Sequence, residues 1–150
     1  MSDATLATAP APTAQAQAVP RFGARPATAS DLEIIHRELM AVIDESPHYN
    51  AEFKAYEKRR LTRGYLDRLQ QHDPWHVISL LSEGEVGGAL VSGPEFGALF
   101  RYWSWIFPPY RHTRLGMHGM RVFDEHFDNG RFHKADTYVR PENEVALALL

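Results

Sequence analysis

The residues best suited to chemistry lie between 107 and 119, in the stretch "FPPYRHTRLGMHG". Two prolines end an aromatic run, Arg111, His112 and Arg114 follow, and Gly116 and Gly119 flank the first turn of a predicted helix. The first N–H groups of a helix lack intrahelical partners and carry the positive end of its dipole. Gly116 would let a ligand approach that backbone closely, and Gly119 would do the same one turn later. Phosphate or pyrophosphate is the guest that such a site suits. Glycine is also common at ordinary strand-to-helix turns, so the elements around the stretch must decide between the two.

The totals narrow the choice. A chain of 150 residues allows one domain with a real core. A formal net charge of −3 offers no general attraction to nucleic acid or to an anionic membrane, so any basic site must be local. The chain has no cysteine, which excludes disulfides, thiolate metal sites and a cysteine nucleophile. Its eight histidines show no helical zinc spacing, and no metal is expected. No apolar run reaches the length of a membrane span. The N-terminal residues lack the features of a secretory signal or a transit peptide, and the expected location is cytoplasmic.

Residues 1–20, rich in Ala, Thr, Gln and Pro, read as a disordered tail, and residues 21–150 as the domain. "RFGARPA" reads as an edge strand, with Pro26 tolerable only at an edge or a strand end. "TASDLEIIHRELMAVI" reads as a helix with Ser30 as N-cap and Leu32, Ile35, Leu39 and Val42 or Ile43 on one face. "DESPHYN" breaks it, and "AEFKAYEKRRLTRGYLDRLQQ" resumes helical periodicity, weakened at Gly64. The basic run "KRRLTR" within it reads as a solvated face. "WHVISLL" and "EVGGALVSG" form a hairpin through "SEG", and "ALFRYWSWIF" is a third strand stopped by Pro108-Pro109. Leu115–Phe127 is a helix ended by "DNG". "KADTYV" is a last strand and "RPENEVALALL" a last helix with Pro141 in its first turn. The order is strand, helix, helix, three strands, helix, strand, helix, a mixed α/β layer fold.

Within that order, "IFPPYRHTRLG" resembles the acyl-CoA-binding segment of the GNAT superfamily of acyltransferases, in which a Val-x-Pro-like strand end precedes Arg/Gln-x-x-Gly-x-Gly/Ala at a helix start. Ile106 and Pro108 match the strand end, Arg111 the basic position and Gly116 the last glycine. "ARPATASDLEIIHREL" is similar to the family's first strand and helix, and "VISLLSEGEVGGALV" to its second and third strands. "ADTYVRPENEVALALL" is similar to its fifth strand and last helix, with Asn143 and Ala146 at Asn-x-x-Ala spacing. The resemblance runs from about Phe22 to the end and implies a central mixed sheet flanked by helices.

It further implies an acyl-CoA-dependent N-acyltransferase, with acetyl-CoA the first expectation, in which an amine attacks the thioester directly. The fourth and fifth strands would splay and hold the pantetheine arm against the backbone of Trp105, Ile106 and Phe107. The N–H groups of His112, Thr113, Arg114, Leu115, Gly116 and Met117 would cradle the pyrophosphate, with Arg111 adding charge. Asn143 would bond the cofactor or hold the splayed strand. The acceptor would be a small-molecule or peptide amine, with no nucleic acid and no membrane involved.

The chain departs from the pattern in three places. Arg114 replaces the middle glycine, and its side chain must either swing out toward a phosphate or narrow the cleft. The fourth strand has no carboxylate. The polar candidates for proton transfer are Tyr102 and Ser104, placed by alternation on the Ile106 face opposite Trp103 and Trp105, together with Asp136 and Tyr138 on one face of the fifth strand. Leu150 stands where the family often has a tyrosine acid, and the family's last two strands are missing, which reads as a truncation or as a sheet completed by another copy or a partner chain. The competing readings are a non-catalytic CoA-binding or interaction module on the same fold and an inactive fragment of a longer enzyme.

Overall fold

The computed structural model describes residues 18–148. Most of the expected tail, and Leu150, lie outside them. The order is β1 (Phe22–Pro26), α1 (Ala29–Glu45), α2 (Ala51–Arg60), α3 (Arg63–His72), β2 (Val77–Ser82), β3 (Glu85–Glu95), β4 (Ala98–Ile106), α4 (Leu115–Phe127), β5 (Ala135–Asp136) and α5 (Glu144–Leu147). The strands form one mixed sheet in the order β1-β2-β3-β4-β5, antiparallel except for the parallel pair β4–β5. This is the expected α/β class, with β1 at an edge and Pro26 at its end.

The sheet is covered on both faces. On one side Leu32 and Ile35 of α1 and Leu66 and Leu69 of α3 pack on Val77, Ala89 and Val91. On the other, Leu115, Phe123 and Phe127 of α4 pack on Ile78, Leu80, Leu90 and Leu99. Strand alternation explains the division, since neighbours such as Val77 and Ile78 face opposite layers. Asp31, buried at the start of α1, accepts from Ser79 Oγ at 2.9 Å and pairs with Arg25, tying the helix to β1 and β2. The β2–β3 turn places Glu83 and Gly84 at φ of 51° and 88°, the double left-handed step that suits a two-residue hairpin.

Several elements differ from the sequence reading. Thr28, not Ser30, caps α1. Its Oγ1 accepts from the Asp31 N–H, and the Asp31 carboxylate accepts from the Thr28 N–H, a reciprocal box that Ser30 cannot form. The single helix expected over 51–71 is two. Leu61 turns inward and is fully buried, and Thr62 caps α3 by accepting from the Tyr65 N–H. β5 is two residues long, paired only through Leu99 with Ala135 and Phe100 with Asp136. α5 is one turn long and starts after Asn143, which leaves Pro141 outside it.

A bulge in β4 governs the site. Val91 pairs with Trp103 and Ser92 with Arg101, so Tyr102 is an extra residue on β4. Ser104 and Ile106 face α4, whereas Tyr102, Trp103 and Trp105 all pack toward α1 and α3. The expectation that Tyr102 shares the Ile106 face is therefore corrected. Arg101, beyond the bulge, turns to the α4 side, against Met120 and Phe123.

Candidate functional site: a basic cleft and a strand fork

After β4 the chain makes a short turn over Pro108–Tyr110 and reverses through His112, which takes a left-handed φ of 64°. Thr113 fixes the loop: its hydroxyl donates to the Tyr110 carbonyl at 2.8 Å and accepts from the Leu115 N–H at 3.3 Å. Arg114 is the N-cap residue of α4 and its own side chain makes no cap bond, so among the described residues Thr113 alone meets the helix start, at the Leu115 N–H. The first helical bond runs from the His118 N–H to the Arg114 carbonyl, so the N–H groups of Gly116 and Met117 have no acceptor among the described residues.

Between the start of α4, with Met117, and the beginning of β1 lies a cleft of about 710 Å³. Its wall carries Arg21, Arg114 and Arg121 with His112 and His118, and it contains no carboxylate. A helix N-terminus with a positive, acid-free lining suits a phosphorylated ligand. Arg114 has φ of −82° and ψ of 11°, open to any L-residue, so replacing glycine here strains nothing. Its side chain is exposed and lines the cleft, the outward arrangement. Arg111 lies outside the lining, and Leu115 is buried, so only its backbone is near the cleft.

The two glycines have different roles. A Cβ on Gly116 would meet Ile106 at an ordinary 3.7 Å, so nothing in the chain demands glycine there. A Cβ on Gly119 would lie 2.5 Å from Leu80, so this glycine serves close helix-on-sheet packing rather than ligand approach, correcting the sequence reading.

Gly116 at the start of α4 stands over the end of β4, where a Cβ on it would lie 3.7 Å from Ile106. At the edge of the sheet away from β1, β4 and β5 part. Their last tie is the Thr137 hydroxyl donating to the Arg101 carbonyl at 3.1 Å. Beyond it, the free edge of β4 from Trp103 toward Ile106 has no strand partner among the described residues. Trp105 and Ile106 belong to that edge. Phe107 is corrected: its N–H donates to the Gly87 carbonyl at 2.8 Å and its side chain is buried.

The proton-transfer candidates do not converge. Ser104 is exposed on the α4 side. Tyr102 lies on the opposite face, under the Arg60 guanidinium at 4.9 Å, and burial, assisted by a hydrogen bond with Tyr65, pushes its phenol pKa up. Asp136 pairs with Lys134 at 3.0 Å. Tyr138 lies beyond the end of β5, so strand alternation does not relate it to Asp136. It is 90% exposed, with its ring 5.1 Å from that of Phe100. Asn143 uses its side chain to cap α5, accepting from the Ala146 N–H at 3.2 Å, so the Asn-x-x-Ala spacing is here that of a helix cap.

Sequence reasoning passed over Glu57. It is the one buried residue of α2, 4% exposed, and it reaches the middle of β4. Oε2 accepts from Trp103 Nε1 at 2.8 Å, and both oxygens accept from Arg60. Its signal was its place four residues after Phe53 and four before Leu61, a carboxylate on the row that should be apolar. Within the run "KRRLTR", Lys58 pairs with Asp44, Arg60 with Glu57 and Arg63 with Glu33 and Asp67, so these cations are paired rather than merely solvated.

Solved structures share this fold. The PaiA N-acetyltransferase of Thermoplasma acidophilum, in complex with coenzyme A, aligns with a TM-score of 0.64 at 15% identity, over 85% of this chain and 84% of that one. Ard1 of Thermoplasma volcanium gives 0.62 at 16%, over 86% and 78%. A GCN5-related N-acetyltransferase of Ralstonia eutropha JMP134 gives 0.61 at 17%, over 85% and 89%. The fold is that of the GNAT acetyltransferases. No family model and no curated protein matches the sequence. On this GNAT frame the start of α4 adjoins the end of β4 through Gly116 and Ile106, and no helix of the described residues is long and apolar enough to cross a membrane.

Proposed function

We propose that the chain is an acyl-CoA-dependent N-acyltransferase acting on an amine, with acetyl-CoA the first co-substrate to test. The observation that carries this reading is the start of α4, where the Gly116 and Met117 amides have no acceptor among the described residues, with a basic, acid-free cleft on its β1 side and the free edge of β4 on its other side. The Gly116 and Met117 amides hold the pyrophosphate, and Arg21, Arg114 and Arg121 add charge. The free edge of β4 at Trp105 and Ile106 offers backbone groups to the pantetheine amides. Acyl-CoA supplies the thioester: the amine nitrogen bonds to its carbonyl carbon, the carbon–sulfur bond breaks, and the proton lost by nitrogen passes through solvent to the thiolate. Burial raises the Tyr102 phenol pKa, which suits it to donating a hydrogen bond rather than to serving as a base. The coenzyme A in the PaiA structure supports the class of co-substrate.

A non-catalytic CoA-binding module is the second reading. It is favoured by Glu57, which contacts Trp103 of β4, and Asp136, on the neighbouring strand, each being held by a cation. Turnover on an amine panel separates the two readings.

The test is calorimetric titration of acetyl-CoA into the folded chain. Saturable binding that weakens with added salt, as the cleft is screened, and that is lost in a folded Gly116→Trp variant is expected. A folded wild-type chain that binds neither acetyl-CoA nor a longer acyl-CoA ends both readings.

A further inference from the structure

Arg101 is a half-buried guanidinium whose surroundings the acyl-CoA reading does not account for. It sits on β4 at the closed end of the fork, where Thr137 makes the last tie to the departing chain. Its head lies under α4, with Nη1 2.9 Å from Met120 Sδ and the guanidinium carbon 5.8 Å from the centre of the Phe123 ring. Nε is buried and has no partner among the described residues. Arg25, Arg60, Arg63 and Arg131 each hold a carboxylate. Arg101 holds none: the charge of Asp124 acts on it, but no ion pair forms among the described residues. An unpaired cation taken out of water costs several kcal/mol and must be offset by a guest or by the fold.

We propose that Arg101 makes the closed end of the fork a subsite for a carboxylate, so that the transferred acyl group is a short chain ending in one. The inference rests on the acyl-CoA reading. A co-substrate with its pyrophosphate at Gly116 and its arm along the free edge of β4 points its acyl end down the strand toward Arg101. An acetyl group offers that guanidinium only a methyl. A terminal carboxylate offers two acceptor oxygens, the partner that the planar fork of an arginine matches best. In the transfer the amine nitrogen bonds to the thioester carbon, the carbon–sulfur bond breaks, and the thiolate takes up the proton that nitrogen gives up. The terminal carboxylate passes unchanged into the amide product.

The test compares succinyl-CoA with butyryl-CoA, which has the same four carbons without the charge, and with acetyl-CoA, each titrated calorimetrically into the wild-type protein. Succinyl-CoA should bind about 10- to 100-fold more tightly than butyryl-CoA, the gain of one charged hydrogen-bonded pair. Arg101→Met should bring the two within about twofold. Its melting temperature should hold or rise, because the substitution removes an uncompensated charge. Equal binding of succinyl- and butyryl-CoA by a wild-type protein that binds acetyl-CoA overturns this proposal alone, as does a preference that survives in Arg101→Met. Failure of all three thioesters to bind overturns the acyl-CoA reading and this inference with it.

Discussion

Replacing Glu57 by alanine tests whether a single carboxylate docks α2 on the sheet. The helix has no apolar stripe: Phe53 is 38% and Tyr56 56% exposed, and Glu57 is its only buried residue. The substitution strands the Arg60 guanidinium, whose side chain is 26% exposed, and the indole N–H of Trp103. Removing one member of a fully buried pair costs about 3–5 kcal/mol. Arg60 reaches water and keeps its contact with the Tyr102 ring, so a loss of about 2–3 kcal/mol is expected. At this chain length that lowers the melting temperature by roughly 5–10 °C. Trp103→Phe, which removes only the donor, should cost about 1 kcal/mol. The two effects should fall short of additive, because both remove the same bond. Urea unfolding followed by far-ultraviolet circular dichroism reads all three variants. A Glu57→Ala loss below about 0.5 kcal/mol, the range of an ordinary surface substitution, would refute the argument that this carboxylate anchors the helix.

Acid should weaken the fold through His76. Burial holds its imidazole at about 4, well below the ordinary 6.5, where it contacts Ser92 Oγ at 3.1 Å and stacks on Phe127. The unfolded chain binds the extra proton first, so the stability is whole above the unfolded value and falls as pH drops toward 4; about 2 kcal/mol should be lost between roughly pH 7.5 and 5. Asp73, drawn down to about 2 by hydrogen bonds from the Trp75 N–H, Arg131 and His126 that outweigh its burial, loses its share only below the ordinary 3.8, outside that window. Urea midpoints at the two pH values, repeated for His76→Asn, check this: an unchanged loss in the variant would show that another group titrates. The two glycines of α4 should respond to alanine with opposite signs. Gly116→Ala should hold or gain up to about 1 kcal/mol, whereas Gly119→Ala should lose about 1–2 kcal/mol as Leu80 is forced aside. Equal melting temperatures for the two variants would contradict this.

Local signals in the sequence were enough for much of the fold. The face of α1, the Pro-Pro stop after β4 and the bounds of α4 follow from periodicity, turn residues and proline. What failed depended on partners distant in sequence. Residues 51–71 keep a helical period across Leu61, but burial of Leu61 against α1 and the cap at Thr62 divide the run. Thr28 and Ser30 are equal candidates by residue type, and only the return bond from Asp31 decides between them. The last strand and helix have suitable propensities, but propensity alone does not lengthen an element that finds two residues to pair with.

The site was legible where it is backbone and hidden where it is side chain. Glycine and arginine at a helix start can be read directly, but the faces of β4 cannot, because nothing in "FRYWSWI" marks Tyr102 as the extra residue. The bulge is set by register with Val91 and Ser92 on β3. Its effect on charge is large. Unbroken alternation from Ile106 would place Arg101 on the side of Trp103, the side from which Glu57 reaches β4. With Tyr102 inserted, Arg101 crosses to the α4 layer and Glu57 takes Arg60 instead. One added residue therefore leaves a paired carboxylate on one face of the strand and an unpaired guanidinium on the other, and it is the unpaired group that stands where β4 and β5 separate.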